Sequence, residues 1–143
     1  MTPSDHATEL HPRLVVEDAD RAIAYYQATL GAELIERYTD DEGRVAHARL
    51  DIGDGQISMT EQVRDWGLLG PRALGGAPVL IHLTVANCDK TGARMTEHGG
   101  EVVIPIADRP YGKREGRIRD PFGHLWIVST HLFDLPEKFG TLS

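Results

Sequence analysis

Cysteine is almost missing from this chain: Cys88 is alone among 143 residues. An internal disulfide is therefore excluded, which suits a cytoplasmic protein. Cys88 falls between a strand and a helix with no base nearby to activate it, so packing is its expected role. Positive charge is also scarce. Fifteen Lys and Arg face 22 Asp and Glu, giving a net charge of −7 and a pI near 5.4. That balance argues against nucleic acid or an anionic membrane as a partner. No apolar run approaches the roughly 20 residues that span a bilayer. The opening MTPSDHATEL has neither the basic start nor the apolar stretch of a signal peptide.

What the chain does contain, it contains twice. Residues 11–59 and 80–128 follow one plan at an offset of 69 positions: Leu14 lands on Leu83, Val16 on Val85, Asp20 on Asp89, Ala24 on Ala93, Gly31 on Gly100 and Asp51 on Asp120. A repeat this long is a doubled module, not a solenoid. LHPRLVV alternates apolar and polar residues as a strand does. EDADRAIAYYQATLG follows as a helix, with Asp18 or Asp20 as cap, Ala22, Ile23, Tyr26 and Leu30 as apolar stripe, and Gly31 as stop. AELIERYTD, RVAHARLDI and QISMTEQ supply three more strands. Module two repeats the order with VLIHLTV, NCDKTGARMTEHGG, EVVIPIADRP and YGKREGRIRDPFGHLWIVSTH, the last folding at its DPFG turn. The expected organisation is one domain over 1–143: module one about 9–62, a connector about 63–78, module two about 79–132 and a tail over 133–143. The fold class is α+β, two tandem βαβββ modules forming a cup-shaped mixed sheet. The tail is expected to pack outside, at a subunit contact.

Strand alternation sorts the faces, because the helices cover the apolar side. Leu14 and Val16, Ala46, Ala48, Leu50 and Ile52, Ile57 and Met59, and Ile81, Leu83 and Val85 are the helix-facing sets. Glu61 belongs to the same side. The other face collects His11, Arg13, His47, Arg49, Ser58, Thr60 and His82. Three histidines and two arginines on one face suit acid/base work or ligand capture, although a sheet face that meets water is polar in any case. Arg114, Arg117, Arg119 and Lys113 form a basic patch, either for an anionic group or paired with Asp108, Glu115 and Asp120. Trp66 and Tyr111, in loops, either wall an aromatic ligand or cover the core. His124 reads as structural.

LHPRLVVEDADRAIAYYQATLGAEL, its repeat and the closing RIRDPFGHLWIVSTH resemble the vicinal oxygen chelate superfamily of glyoxalase I, bleomycin and fosfomycin resistance proteins and extradiol dioxygenases. HARLDIGDGQISMTEQ, IHLTV and YGKREGRIRDPFGHLW look most like its PhnB-type, glyoxalase-like subgroup. The resemblance implies paired modules that make one site, within or between chains, and hence a homodimer. Metal-using members carry ligands at four positions, which here hold His11, Ser58, Leu80 and Ile127. Only His11 is a good ligand. The expectation is thus no cofactor and no metal in that four-ligand site, with a rearranged divalent-metal site on His11, His47 and His82 as the alternative. Two functions stay open. One is capture of a small organic molecule using His11, Arg13, Arg49, Ser58, Thr60, Trp66, Tyr111 and Arg117. The other is an enzyme of lyase, isomerase or dioxygenase class, with His47 and His82 as catalytic groups.

Overall fold

A computed structural model describes residues 5–136; the end of the tail, 137–143, and residues 1–4 lie outside the described residues. The chain divides into two compact units that meet at Gly70 and Pro71. Unit one carries β1 (Arg13–Val16), α1 (Ala19–Leu30), β2 (Glu33–Thr39), β3 (Val45–Ile52) and β4 (Gly55–Glu61). Unit two carries the short α2 (Pro71–Leu74), then β5 (Leu80–Thr84), α3 (Cys88–Glu97), β6 (Glu101–Asp108), β7 (Lys113–Arg119) and β8 (Leu125–His131). Among the described residues each unit holds one mixed four-stranded sheet, ordered β1-β4-β3-β2 and β5-β8-β7-β6, with the first strand parallel to its one neighbour there. This is the α+β, doubled βαβββ arrangement expected from the repeat.

The helices begin where local chemistry starts them. Asp18, not Asp20, caps α1 by accepting from the Arg21 amide at 3.1 Å, and Gly31 ends the helix at φ 70°. Asp20 is instead drawn into a two-pronged ion pair with Arg37. Asn87 caps α3 in the same way. The fourth strand of each unit adds a second anchor. Glu61 accepts from the first helical amide, Ala19, and from Val45, both at 2.8 Å. At the matching place in unit two, Thr130 accepts from Cys88 at 2.8 Å. Ala22, Ile23, Tyr26, Leu50 and Met59 fill the core beneath α1, and Met95, Ile118, Trp126 and Val128 that beneath α3. Cys88 is buried there too, its thiol donating to the Arg114 carbonyl.

Within the connector, Arg64–Trp66 form a 3-10 turn and Pro71–Leu74 form α2. Two sequence expectations need correction. Ala46 is exposed and Val45 takes the buried position, because the register slips between Tyr38 and Thr39 and leaves Ala46 as an extra residue. The repeat offset is also not constant. It is 69 from Arg13 to His82 and from Ser58 to Ile127, but 68 from Arg49 to Arg117. The structural counterpart of Asp51 is consequently Arg119. Asp120 serves a different end. Its carboxylate takes the amides of Phe122 and His124 and the indole N–H of Trp126, each at 2.9 Å, which locks the DPFGH turn.

Candidate functional site

Strand register sets a row of side chains across each sheet, on the face away from the helix. In unit one the row runs Arg13, Ser58, Arg49, Glu36. In unit two it runs His82, Ile127, Arg117, Ile104. The first row is polar and connected. Arg13 donates from Nε to the buried Ser58 Oγ at 3.1 Å, and its Nη2 lies 2.8 Å from His47 Nδ1. On the other side of that ring, His47 Nε2 lies 2.8 Å from Glu36 Oε2. A guanidinium can only donate, so Nδ1 is the acceptor and the proton sits on Nε2, aimed at Glu36. The imidazole is thereby held in one tautomer and one orientation. Tyr38 stacks on it, with ring centroids 6.0 Å apart. The His47 hydrogen bond holds the Glu36 carboxyl below its ordinary range, and the Arg49 charge at 3.8 Å adds to this against the opposing effect of burial.

Glu36 escapes a reading of the sequence. It lies on β2, where alternation does not sort the faces, and a register slip between Leu34 and Glu36 sets it opposite Arg49. The charged pair in ELIERY is the only signal for it. His11 stands outside the network, 3.7 Å from Glu9. Both ring nitrogens of His47 are engaged, leaving no lone pair free for a metal in this arrangement. His82 is exposed on β5 in the other unit. Within either unit, among the described residues, no three His, Cys, Asp or Glu side chains gather around a metal-sized space. The four positions that the resemblance gives to a metal do not fit one: Leu80 and Ile127 offer only hydrocarbon, and the Ser58 hydroxyl is covered by the Arg13 cation.

Unit one also contains a cavity of about 380 Å³. Arg13, Val15 and Thr60 line one side, and Val63, Trp66 and Leu68 from the connector line another. Asp40, Arg44 and Glu61 give it a charged border. The size suits a small organic molecule. Three of the expected ligand residues, Arg13, Thr60 and Trp66, therefore meet in one cavity. Ser58 and Arg49 are reached only through the Arg13 row, and His11 is not among the lining residues. Trp66 is 76% exposed, an unusual position for so large a ring.

The basic patch resolves into separate roles. Arg114 pairs with Asp89 and Asp108, which raises its own pKa and lowers that of Asp89. Lys113 meets His131, and Arg119 donates to the Gly123 carbonyl. Arg117 differs, since it lines a second cavity of about 200 Å³ with Tyr111, Arg109, Glu115, Ile104 and Ile127. The Tyr111 hydroxyl donates to Glu115, which pushes the phenol pKa up and keeps it a donor.

No helix among the described residues is long and apolar enough to cross a membrane. In sequence, the chain is 37% identical over 122 residues to the uncharacterized protein Mb0911c of Mycobacterium bovis, covering 83% of this chain and 80% of that one. In structure it is similar to TioX from Micromonospora sp. ML1, with a TM-score of 0.65, 27% identity, and coverage of 87% of this chain and 100% of TioX. The fosfomycin resistance protein FosX of Listeria monocytogenes shares the fold, with a TM-score of 0.69 at 21% identity over 94% of this chain and 99% of FosX. A family profile matches residues 5–128. Doubled module, closing turn and profile agree: the chain belongs to the glyoxalase/bleomycin resistance protein/dioxygenase superfamily.

Proposed function

We propose that this chain is a ligand-capturing member of its superfamily, of the PhnB-type subgroup, that binds a small organic molecule without the usual four-ligand metal. The observation that carries the reading is Arg13. Its guanidinium covers the Ser58 hydroxyl and also lines the 380 Å³ cavity. A fixed cation there favours a ligand with an anionic or strongly accepting group and disfavours a divalent metal. Trp66 supplies a flat apolar wall beside it. The working form is proposed to be a cytoplasmic homodimer.

The test is metal content followed by binding. Elemental analysis of protein purified without a histidine tag or chelator is expected to find no stoichiometric Zn, Ni, Fe or Mn. Trp66 then serves as the reporter, because it lines the cavity, whereas Trp126 does not and is buried at 1% exposure. A panel of aromatic carboxylates and phosphonates should include compounds that quench the exposed tryptophan, lose that effect in Trp66→Phe, and come back chemically unchanged. About one metal per chain overturns the metal-free reading.

A second reading has its own observation. An imidazole pinned in a single tautomer between a cation and a carboxylate is the arrangement of an oriented acid/base. Departure of Arg13 toward a ligand anion uncovers Nδ1 as a base, with Glu36 behind it. Conversion of a bound compound, abolished in His47→Gln with binding retained, selects that reading over capture.

A further inference from the structure

Where β7 begins and β8 ends, a lysine, a histidine and an aspartate stand in line. Lys113 opens β7, His131 closes β8, and strand register sets the two opposite each other. Lys113 Nζ lies 2.6 Å from His131 Nδ1, and His131 Nε2 lies 2.9 Å from Asp134 Oδ1. An ammonium only donates, so Nδ1 accepts and the ring proton sits on Nε2, aimed at the carboxylate. The bend that brings Asp134 there is fixed by the backbone. The Gly112 carbonyl accepts from the amides of both Leu132 and Phe133, at 2.8 and 3.2 Å. Gly112 itself has φ 81°, and an added Cβ would run into the Phe133 carbonyl oxygen.

Unit one has the same string of cation, imidazole and carboxylate in Arg13, His47 and Glu36, but the two cations differ in what they can do. A guanidinium keeps its proton and stays a fixed charge. A primary ammonium can give a proton up and then carries a nucleophilic lone pair. His131 Nδ1 is in place to receive that proton, and the Asp134 carboxylate stabilises the imidazolium that results. The group is open to reagents, since the His131 side chain is 45% exposed and that of Asp134 93%. Neither Lys113 nor His131 lines the Arg13 cavity or the one beside β7, so ligand capture leaves the group without a role.

We propose that Lys113 is an acylation site that takes the acyl group of a small acyl phosphate or acyl thioester, with His131 as base and Asp134 positioning the imidazole. The ammonium first passes one proton to His131 Nδ1. The free amine then attacks the acyl carbonyl, forming the Nζ–C bond as the C–O bond to phosphate or the C–S bond to the thiol breaks. The leaving group departs with the second amine proton, and the imidazolium returns the first to water. The product is a neutral amide, so the modified side chain loses its charge.

Lys90 is the internal reference, exposed on α3 and without a side-chain partner among the described residues. The full chain is incubated separately with acetyl phosphate and with the acetyl thioester of a small thiol, and acetyl occupancy at each lysine is followed by peptide mass spectrometry. With at least one donor, Lys113 should react at least about tenfold faster than Lys90, a modest gain beside the roughly 10²–10⁴-fold of a positioned acid/base group. The faster donor identifies the source. His131→Gln should bring the two lysines to within about twofold of each other. Asp134→Asn should slow Lys113 severalfold and Asp134→Glu should restore it, a split that a bystander carboxylate does not give. Both residues are exposed, so the variants should melt with the native chain. Equal rates at Lys113 and Lys90 with both donors, or an unchanged ratio in His131→Gln, overturn the proposal. The Trp66 titration reads the Arg13 cavity separately, so failure of one reading is distinguishable from failure of the other.

Discussion

At the residue scale, the distinctive element is a relay in which each partner fixes the next. Ser58 and His47 hold Arg13, and Glu36 holds His47. Glu36→Gln should loosen the ring and raise ligand Kd severalfold in the Trp66 fluorescence titration, while leaving the fold intact. The pH dependence has a definite sign. The folded-state pKa of Glu36 is depressed, so its contribution is present above the ordinary glutamate value of about 4.3 and is lost as pH falls through the folded value. Asp20, Asp40 and Asp89, each lowered chiefly by a hydrogen bond from an arginine, act in the same direction. Melting temperature should therefore hold steady from neutrality to about pH 5 and fall below it, less steeply in high salt because these pairs are exposed. His82 makes a separate case. It is exposed on β5, so His82→Ala should leave the melting temperature within about 2 °C, the range of a neutral surface change. A large loss instead places His82 in the core.

At the scale of elements, the structure shows what alternation makes legible and where it fails. The two-residue period places Leu14 and Val16 against α1 and Arg13 away from it, as read from LHPRLVV. It fails at Ala46 and cannot find Glu36, because both lie beside register slips that no local pattern announces. The cavity beside Trp66 is legible only as a loop aromatic, since its wall comes from a connector with no periodicity. Asp120 is the clearest element-level determinant. Replacing it by alanine strands two amides and an indole N–H in a buried turn, and should cost about 3 kcal/mol or more in denaturant titration. Gly116→Ala forces a methyl group onto the β6 backbone and should cost about 1–3 kcal/mol by the same measurement. An alanine variant with unchanged stability at either position removes the corresponding packing argument.

At the scale of the whole molecule, duplication has preserved backbone geometry while the chemistry of the two rows diverged. One unit presents Arg, Ser, Arg and Glu where the other presents His, Ile, Arg and Ile. Exposed Leu34 and Ile35 on β2, Val102 and Val103 on β6, and Phe133 after β8 leave apolar surface on both units. Light scattering is expected to report a dimer at micromolar concentration; a monomer removes that proposal. The sheet order shared by both units also bears on how the chain is made. In each, among the described residues, the first strand has a single partner, the fourth, and the paired residues Arg13 and Ser58 are 45 positions apart. At about 5–20 residues per second, a ribosome needs roughly 2–9 s to traverse that interval. During synthesis RLVV therefore waits for seconds with its edge open, and LIHLT later does the same. The nascent chain passes through two successive intervals of vulnerability to mispairing, each closed only when its own fourth strand emerges.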